Sequence, residues 1–186
     1  MTGTGSTGVP WLDDPGSHEV TARVSRSVGL PRPLPDVYGI ALRVPVDGRL
    51  PADLLFASTG HSAAGRFVFR PAFGVDTRSL TTLLPVRSPK GALVLRLVAE
   101  APVPAEELVL PASMVLSAAL GTGPWQDVAT LTRGTALGPD SPSDRHDPVV
   151  HELPGTEQYA VVRRLREPAY VAARKVSRRL GGPNPR

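Results

Sequence analysis

The sequence predicts a mainly β (α+β) chain, an antiparallel β-barrel of about eight strands with a C-terminal helical segment. Three observations carry this. Apolar residues recur with a period of two from Glu19 to about Gly134, the runs are short and separated by Pro, Gly, Asp and Ser, and beyond Thr156 the period becomes helical. The 186 residues are enough for one real core and tight for two. We therefore expect a single domain, with residues 1–155 forming the barrel and its long connecting loop and residues 156–186 a basic helical segment of the same domain.

In order along the chain, "EVTARVS" alternates Val20, Ala22 and Val24, and "YGIALRVPV" alternates Ile40, Leu42, Val44 and Val46. Such alternation turns one set of side chains inward and the other outward, as a half-buried strand requires. "DLLFAST", "GRFVFRP", "LTTLLPV", "GALVLRLVAEA", "ELVLPASMVLSAAL" and "WQDVATLTRG" read as further strands. Turn signals such as "PVDGRLP", "RSPKG" and "GTGP" separate them. The polar, proline-rich "RGTALGPDSPSDRHDPVVH" reads as a connecting loop. Val162, Leu165, Ala169, Ala172, Ala173, Val176 and Leu180 then fall at helical spacings until Gly181 and Gly182. Pro168 divides this run into two helical pieces.

Composition excludes several classes. Cysteine is absent, which removes disulfides, thiolate catalysis and sulfur-based zinc sites. No stretch reaches the roughly 18 apolar residues of a spanning helix, and "MTGTGSTGVP" lacks the marks of a secretory signal, so a cytoplasmic protein is expected. The net charge of +4 is uneven: residues 163–186 hold eight basic side chains against Glu167 alone. That segment reads as a solvated helix face; without interleaved aromatics or a known module no nucleic-acid partner is expected. A weaker alternative makes it a tail for an anionic surface. Oligomerisation is left open.

Few motifs carry chemistry unaided. The histidines His18, His61, His146 and His151 form no HExxH, and Asp144, His146, Asp147, His151 and Glu152 share no metal-ligand spacing, so "DRHDPVVHE" reads as a solvated loop. "GTGSTG" lacks the strand, helix and lysine of a phosphate loop, and no GxSxG supports a serine hydrolase. Trp11 and Trp125 read as core or lip aromatics.

The stretch "ARVSRSVGLPRPLPDVYGIALRVPVDGRLPADLLFAST" resembles the core of haem catalases. Arg23, Val24 and Ser25 stand at that family's R-F-S. Asp36, Gly39, Ala41 and Arg43 match its D-x-R-G-F-A-x-(K/R)-F, and Asp53, Leu54 and Thr59 match its D-L-V-x-N-N-T. Downstream, "RHDPVVHELPG" followed by Arg166-Glu-Pro-Ala-Tyr170 is similar to the family's F-D-P segment and its R-x-F-x-Y ligand helix. "GVPWLD" resembles short actinobacterial catalase-like proteins, some of which begin further upstream with an HPxG-type segment.

The resemblance implies a catalase-like barrel with haem as cofactor and Tyr170 as the metal ligand. Arg166, four residues before Tyr170, would favour its phenolate. Arg23, Ser25 and Arg178 would complete the cofactor-binding set. The family's distal histidine has no place here, because only twenty-two residues precede Arg23 and His18 is too close to it. Ser58 falls where the family has its distal asparagine, and His61 just after it is the candidate base, so these two are the catalytic candidates. The expected function is that of a haem-binding protein, with peroxide-related oxidoreductase activity on a small-molecule substrate if it is an enzyme and a degenerate distal site. The alternative is a haem-free module of the same fold that binds a small ligand or a protein.

Overall fold

The computed structural model describes residues 7–31, 33–46, 48, 50–103, 108–136 and 152–160. These form one antiparallel sheet of nine strands: β1 (Thr21–Arg26), β2 (Tyr38–Val44), β3 (Ala52–Ser58), β4 (Leu80–Thr81), β5 (Val86–Ser88), β6 (Gly91–Ala99), β7 (Ser113–Leu120), β8 (Gln126–Thr132) and β9 (Glu157–Gln158). A four-residue helix α1 (Pro10–Asp13) precedes them, and a 3-10 turn (Gly65–Phe67) follows β3.

The nine-residue β6 organises the sheet. One edge pairs along its length with β7; the other pairs first with β5, through Leu93 and Val86, and then with β4, through Leu97 and Leu80. The main path therefore runs β1-β2-β3-β4-β6-β7-β8, and β5 carries β9 on a side branch. This path curls into a half-barrel of seven strands. Among the described residues β1 and β8 do not pair with each other, so the curl ends in two open edges.

Alternation decides the faces. Val24 opposes Ile40, which opposes Phe56, and Ala22, Leu42 and Leu54 line up in the same way one pair along. Leu93, Leu95 and Leu97 of β6 meet Leu120, Ala118 and Leu116 of β7. Ile40, Leu42, Phe56, Leu80, Leu95, Leu97, Met114 and Leu116 are buried together as the core. Each such side chain contributes about 1.5–3 kcal/mol on leaving water. On the other face Arg43 and Asp53, directly opposite one another, form a two-point ion pair with Nε to Oδ1 at 2.9 Å and Nη2 to Oδ2 at 3.1 Å.

The sequence reading of a mainly β, antiparallel, barrel-like chain of about eight strands holds: the sheet has nine strands, seven of them curled into a half-barrel. Two elements differ. "GRFVFRP" is not a strand: Ser62 caps the 3-10 turn by accepting the Gly65 N–H at 2.9 Å, Gly60 packs directly on Gly65, and the Arg66 side chain turns inward. The helical reading from Thr156 is overturned at its start, because Glu157 and Gln158 pair with Arg87 and Val86. The helical segment beyond Ala160 lies outside the described residues. "LTTLLPV" splits into β4 and β5 at Leu83, whose φ of +60° breaks the extended run.

Candidate functional site

The two open edges face a common groove of about 1010 Å³. It is lined by Val20 just before β1, by Ala22 and Val24 of β1, and by Leu131 and Thr132 of β8; Leu110 contributes from the segment before β7. Ala22, Val24 and Leu131 also pack against the core, so the groove leads from solvent to the inner face of the sheet. Ser17, His18, Glu19, Thr21, Thr130 and Arg133 add polar groups to the same lining. The His18 ring lies 5.4 Å from that of Trp11, and Arg133 donates from Nη1 to the Leu110 carbonyl at 2.9 Å. Polar and apolar side chains share the lining about equally, and the volume lies at the upper end of the roughly 300–1,000 Å³ typical of small-molecule sites.

The residues singled out from the sequence are distributed differently. Arg23 and Ser25 lie on the outer face of β1, opposite Ala41 and Gly39, and do not line the groove. Arg23 is exposed; Ser25 packs on Gly39 so closely that a Cβ there would stand 3.1 Å from its hydroxyl. Ser58 is buried, its hydroxyl donating to the Arg70 carbonyl at 2.8 Å and accepting from the Tyr38 N–H at 3.2 Å. It acts as a latch between β2, β3 and the loop after β3. His61 is exposed on that loop, with Nδ1 3.0 Å from the Ser79 hydroxyl. Ser58 and His61 are therefore neighbours in sequence only. Tyr170, Arg166 and Arg178 lie outside the described residues, as do His146, His151 and their acidic neighbours.

His61 lines a second, more polar depression of about 360 Å³, whose walls include Ser79, Arg78, Arg96, Asp76 and Asp127. Beside it stands a group that sequence reasoning missed. The guanidiniums of Arg66 and Arg96 lie 4.1 and 4.5 Å from the centre of the Trp125 ring. Arg96 donates to the Ser117 hydroxyl at 3.0 Å, and Ser117 donates in turn to Asp127 at 2.8 Å. Burial lowers the pKa of both arginines; at Arg96 the Asp127 carboxylate opposes the shift and Arg66 reinforces it. The available signal was weak: an arginine in an alternating run at Arg96 and an aromatic in a turn at Trp125, far apart in sequence. Among the described residues no group of three or more His, Asp or Glu side chains is placed to hold a metal ion.

No family model, curated protein or solved structure matches this chain. No helix among the described residues is long and apolar enough to cross a membrane.

Proposed function

We propose that this chain is a small-ligand-binding half-barrel whose site is the groove between β1 and β8. The observation that carries the reading is the groove itself: about 1010 Å³, lined by apolar side chains such as Val20, Ala22, Val24 and Leu131 and by polar ones such as His18, Glu19 and Arg133. A ligand that carries both apolar and hydrogen-bonding surface suits that lining.

Haem is the ligand nominated by the sequence resemblance, and it satisfies the size requirement. In this reading Tyr170 ligates the iron, Arg166 stabilises the phenolate, and bound haem supplies the redox chemistry of an oxidoreductase. The fit of the described residues is partial. His18 and Arg133 border the groove, whereas Arg23 and Ser25 belong to the opposite face of β1 and the Ser58 hydroxyl is fully engaged. The haem reading therefore rests on Arg166 and Tyr170, and the small-ligand reading on the groove.

One titration separates them. Haem added to the purified protein is expected to give a Soret band that Tyr170→Phe shifts or removes and that Ala22→Trp, which fills the groove, weakens. Absence of a band sinks the haem reading alone. The groove is then tested with an environment-sensitive naphthalene dye, and fluorescence equal in wild type and Ala22→Trp would overturn it.

A further inference from the structure

Two loops at one end of the sheet, residues 27–37 between β1 and β2 and residues 68–73 after β3, present large apolar side chains to solvent. Val28 is 63% exposed, Leu34 53%, Val68 57%, Phe69 53% and Phe73 64%. Single exposed apolar residues need no explanation, but a set gathered on adjoining loops marks an interaction surface. The loops adjoin because Asp36 and Ala72 exchange backbone hydrogen bonds at 2.9 and 2.8 Å. The Tyr38 hydroxyl also donates to the Phe73 carbonyl at 3.0 Å.

These tips are held in place by a dedicated device. The buried Asp36 carboxylate accepts the N–H groups of Val28 at 2.9 Å, Gly29 at 2.7 Å, Leu30 at 3.1 Å and Val37 at 2.7 Å. Gly29, with φ of +76°, supplies the left-handed turn that lets consecutive N–H groups converge on it. Arg26 braces the same loop from Nη2 to the Leu30 carbonyl at 2.8 Å. A loop so tightly organised holds Val28 out in water without the ordering cost that binding ordinarily imposes.

Charge selects the partner. Apart from Arg66, which is buried against Trp125, residues 26–38 and 66–78 contain Arg26, Arg32, Arg70 and Arg78 against Asp36 and Asp76, with Arg26 paired to Asp36 at 3.5 Å. Both carboxylates are engaged, Asp36 as above and Asp76 by the Val103 N–H at 3.0 Å. The excess of positive charge disfavours a second copy of the same surface, and equally the chain's own basic residues 163–186. Arg70 and Arg78 beside protruding Phe, Leu and Val side chains match the boundary of an anionic bilayer, where basic residues meet the headgroups and apolar tips enter the acyl region. We propose that the paired loops dock this protein on an anionic lipid surface.

The test is cosedimentation of the full chain with vesicles of phosphatidylglycerol and phosphatidylcholine, compared with phosphatidylcholine alone. Binding to the anionic vesicles at least tenfold tighter is expected. Phe69→Ser with Phe73→Ser, which leaves charge unchanged, should weaken it at least tenfold, whereas Lys175→Gln with Arg179→Gln should change it less than threefold. Phe73→Trp, which keeps an apolar tip, should show a blue-shifted emission on anionic vesicles whether or not the serine variant folds. No binding to anionic vesicles, binding unaltered by the serine pair, a loss caused equally by the tail substitutions, or a Phe73→Trp emission unchanged on bound protein would each overturn the proposal.

Discussion

The Arg66 guanidinium lies 4.1 Å from the centre of the Trp125 ring while its Nη1 donates to the carbonyls of Gly121 and Gly123 at 3.1 and 3.0 Å. One buried side chain thus ties the loop after β3 to the hairpin between β7 and β8, more than fifty residues away. Arg96 approaches the same indole, so Trp125 attracts two cations that repel each other. Among the described residues neither arginine has a carboxylate within ion-pair distance; the indole quadrupole is joined in offsetting their desolvation by the Gly121 and Gly123 carbonyls at Arg66 and by the Ser117 hydroxyl and the more distant Asp127 carboxylate at Arg96.

Removing the ring should therefore cost more than its area. Trp125→Ala is expected to lower stability by about 2–3 kcal/mol, combining two partly desolvated cation–π contacts with lost packing. Trp125→Phe should recover part of this. Urea unfolding measures both, and a cycle with Arg96→Met tests the origin: if the two arginines repel, Arg96→Met should be less harmful, or even stabilising, in the Trp125→Ala background.

Asp36 predicts an acid-sensitive fold. Burial alone would raise its pKa, but the N–H groups of Val28, Leu30, Gly29 and Val37 hold it below the ordinary carboxylate value. A group whose folded pKa is depressed contributes stability above its unfolded pKa, about 3.9, and loses it as pH falls through the lower folded value. Asp36→Asn leaves one oxygen to accept and turns an amide donor toward backbone donors, so it should cost about 2 kcal/mol at neutral pH. The gap between wild type and Asp36→Asn in urea midpoint should narrow below about pH 4. A gap independent of pH down to 3 would mean that the carboxylate charge is not what holds the loop.

The strands were legible where burial differs between faces. Ile40, Leu42 and Val44 alternate with Gly39, Ala41 and Arg43, and a half-buried strand writes itself into sequence in that way. "GRFVFRP" alternates as well, yet Val68 and Phe69 face solvent and the inward residue is Arg66. Alternation reports periodicity, and it does not say which face is buried. Closure was equally unreadable, because pairing between β1 and β8 would depend on contacts more than a hundred residues apart. Of the candidate site residues, Ser58 shows the same limit. Its place beside Thr59 is visible in the sequence, but the Arg70 carbonyl that accepts its hydrogen bond is supplied by a loop whose path only the fold defines.

The Arg43–Asp53 pair offers the last test, on the outer face of β2 and β3. The Asp53 side chain is fully buried and that of Arg43 is 14% exposed, so the pair sits under cover and salt should screen it little. Removing one partner of such a covered pair takes away a two-point contact of the other, at about 3 kcal/mol or more. Asp53→Ala is expected to destabilise by that order, whereas Arg43→Met with Asp53→Leu, which removes both charges and keeps volume, should lie nearer to wild type. Urea unfolding of the three proteins at low and at 0.5 M salt decides between them. If Asp53→Ala and the double variant lose stability equally, the pair acts through specific geometry at the β2–β3 register; if the double variant is clearly the more stable, the cost lies in burying Arg43 without its Asp53 contact.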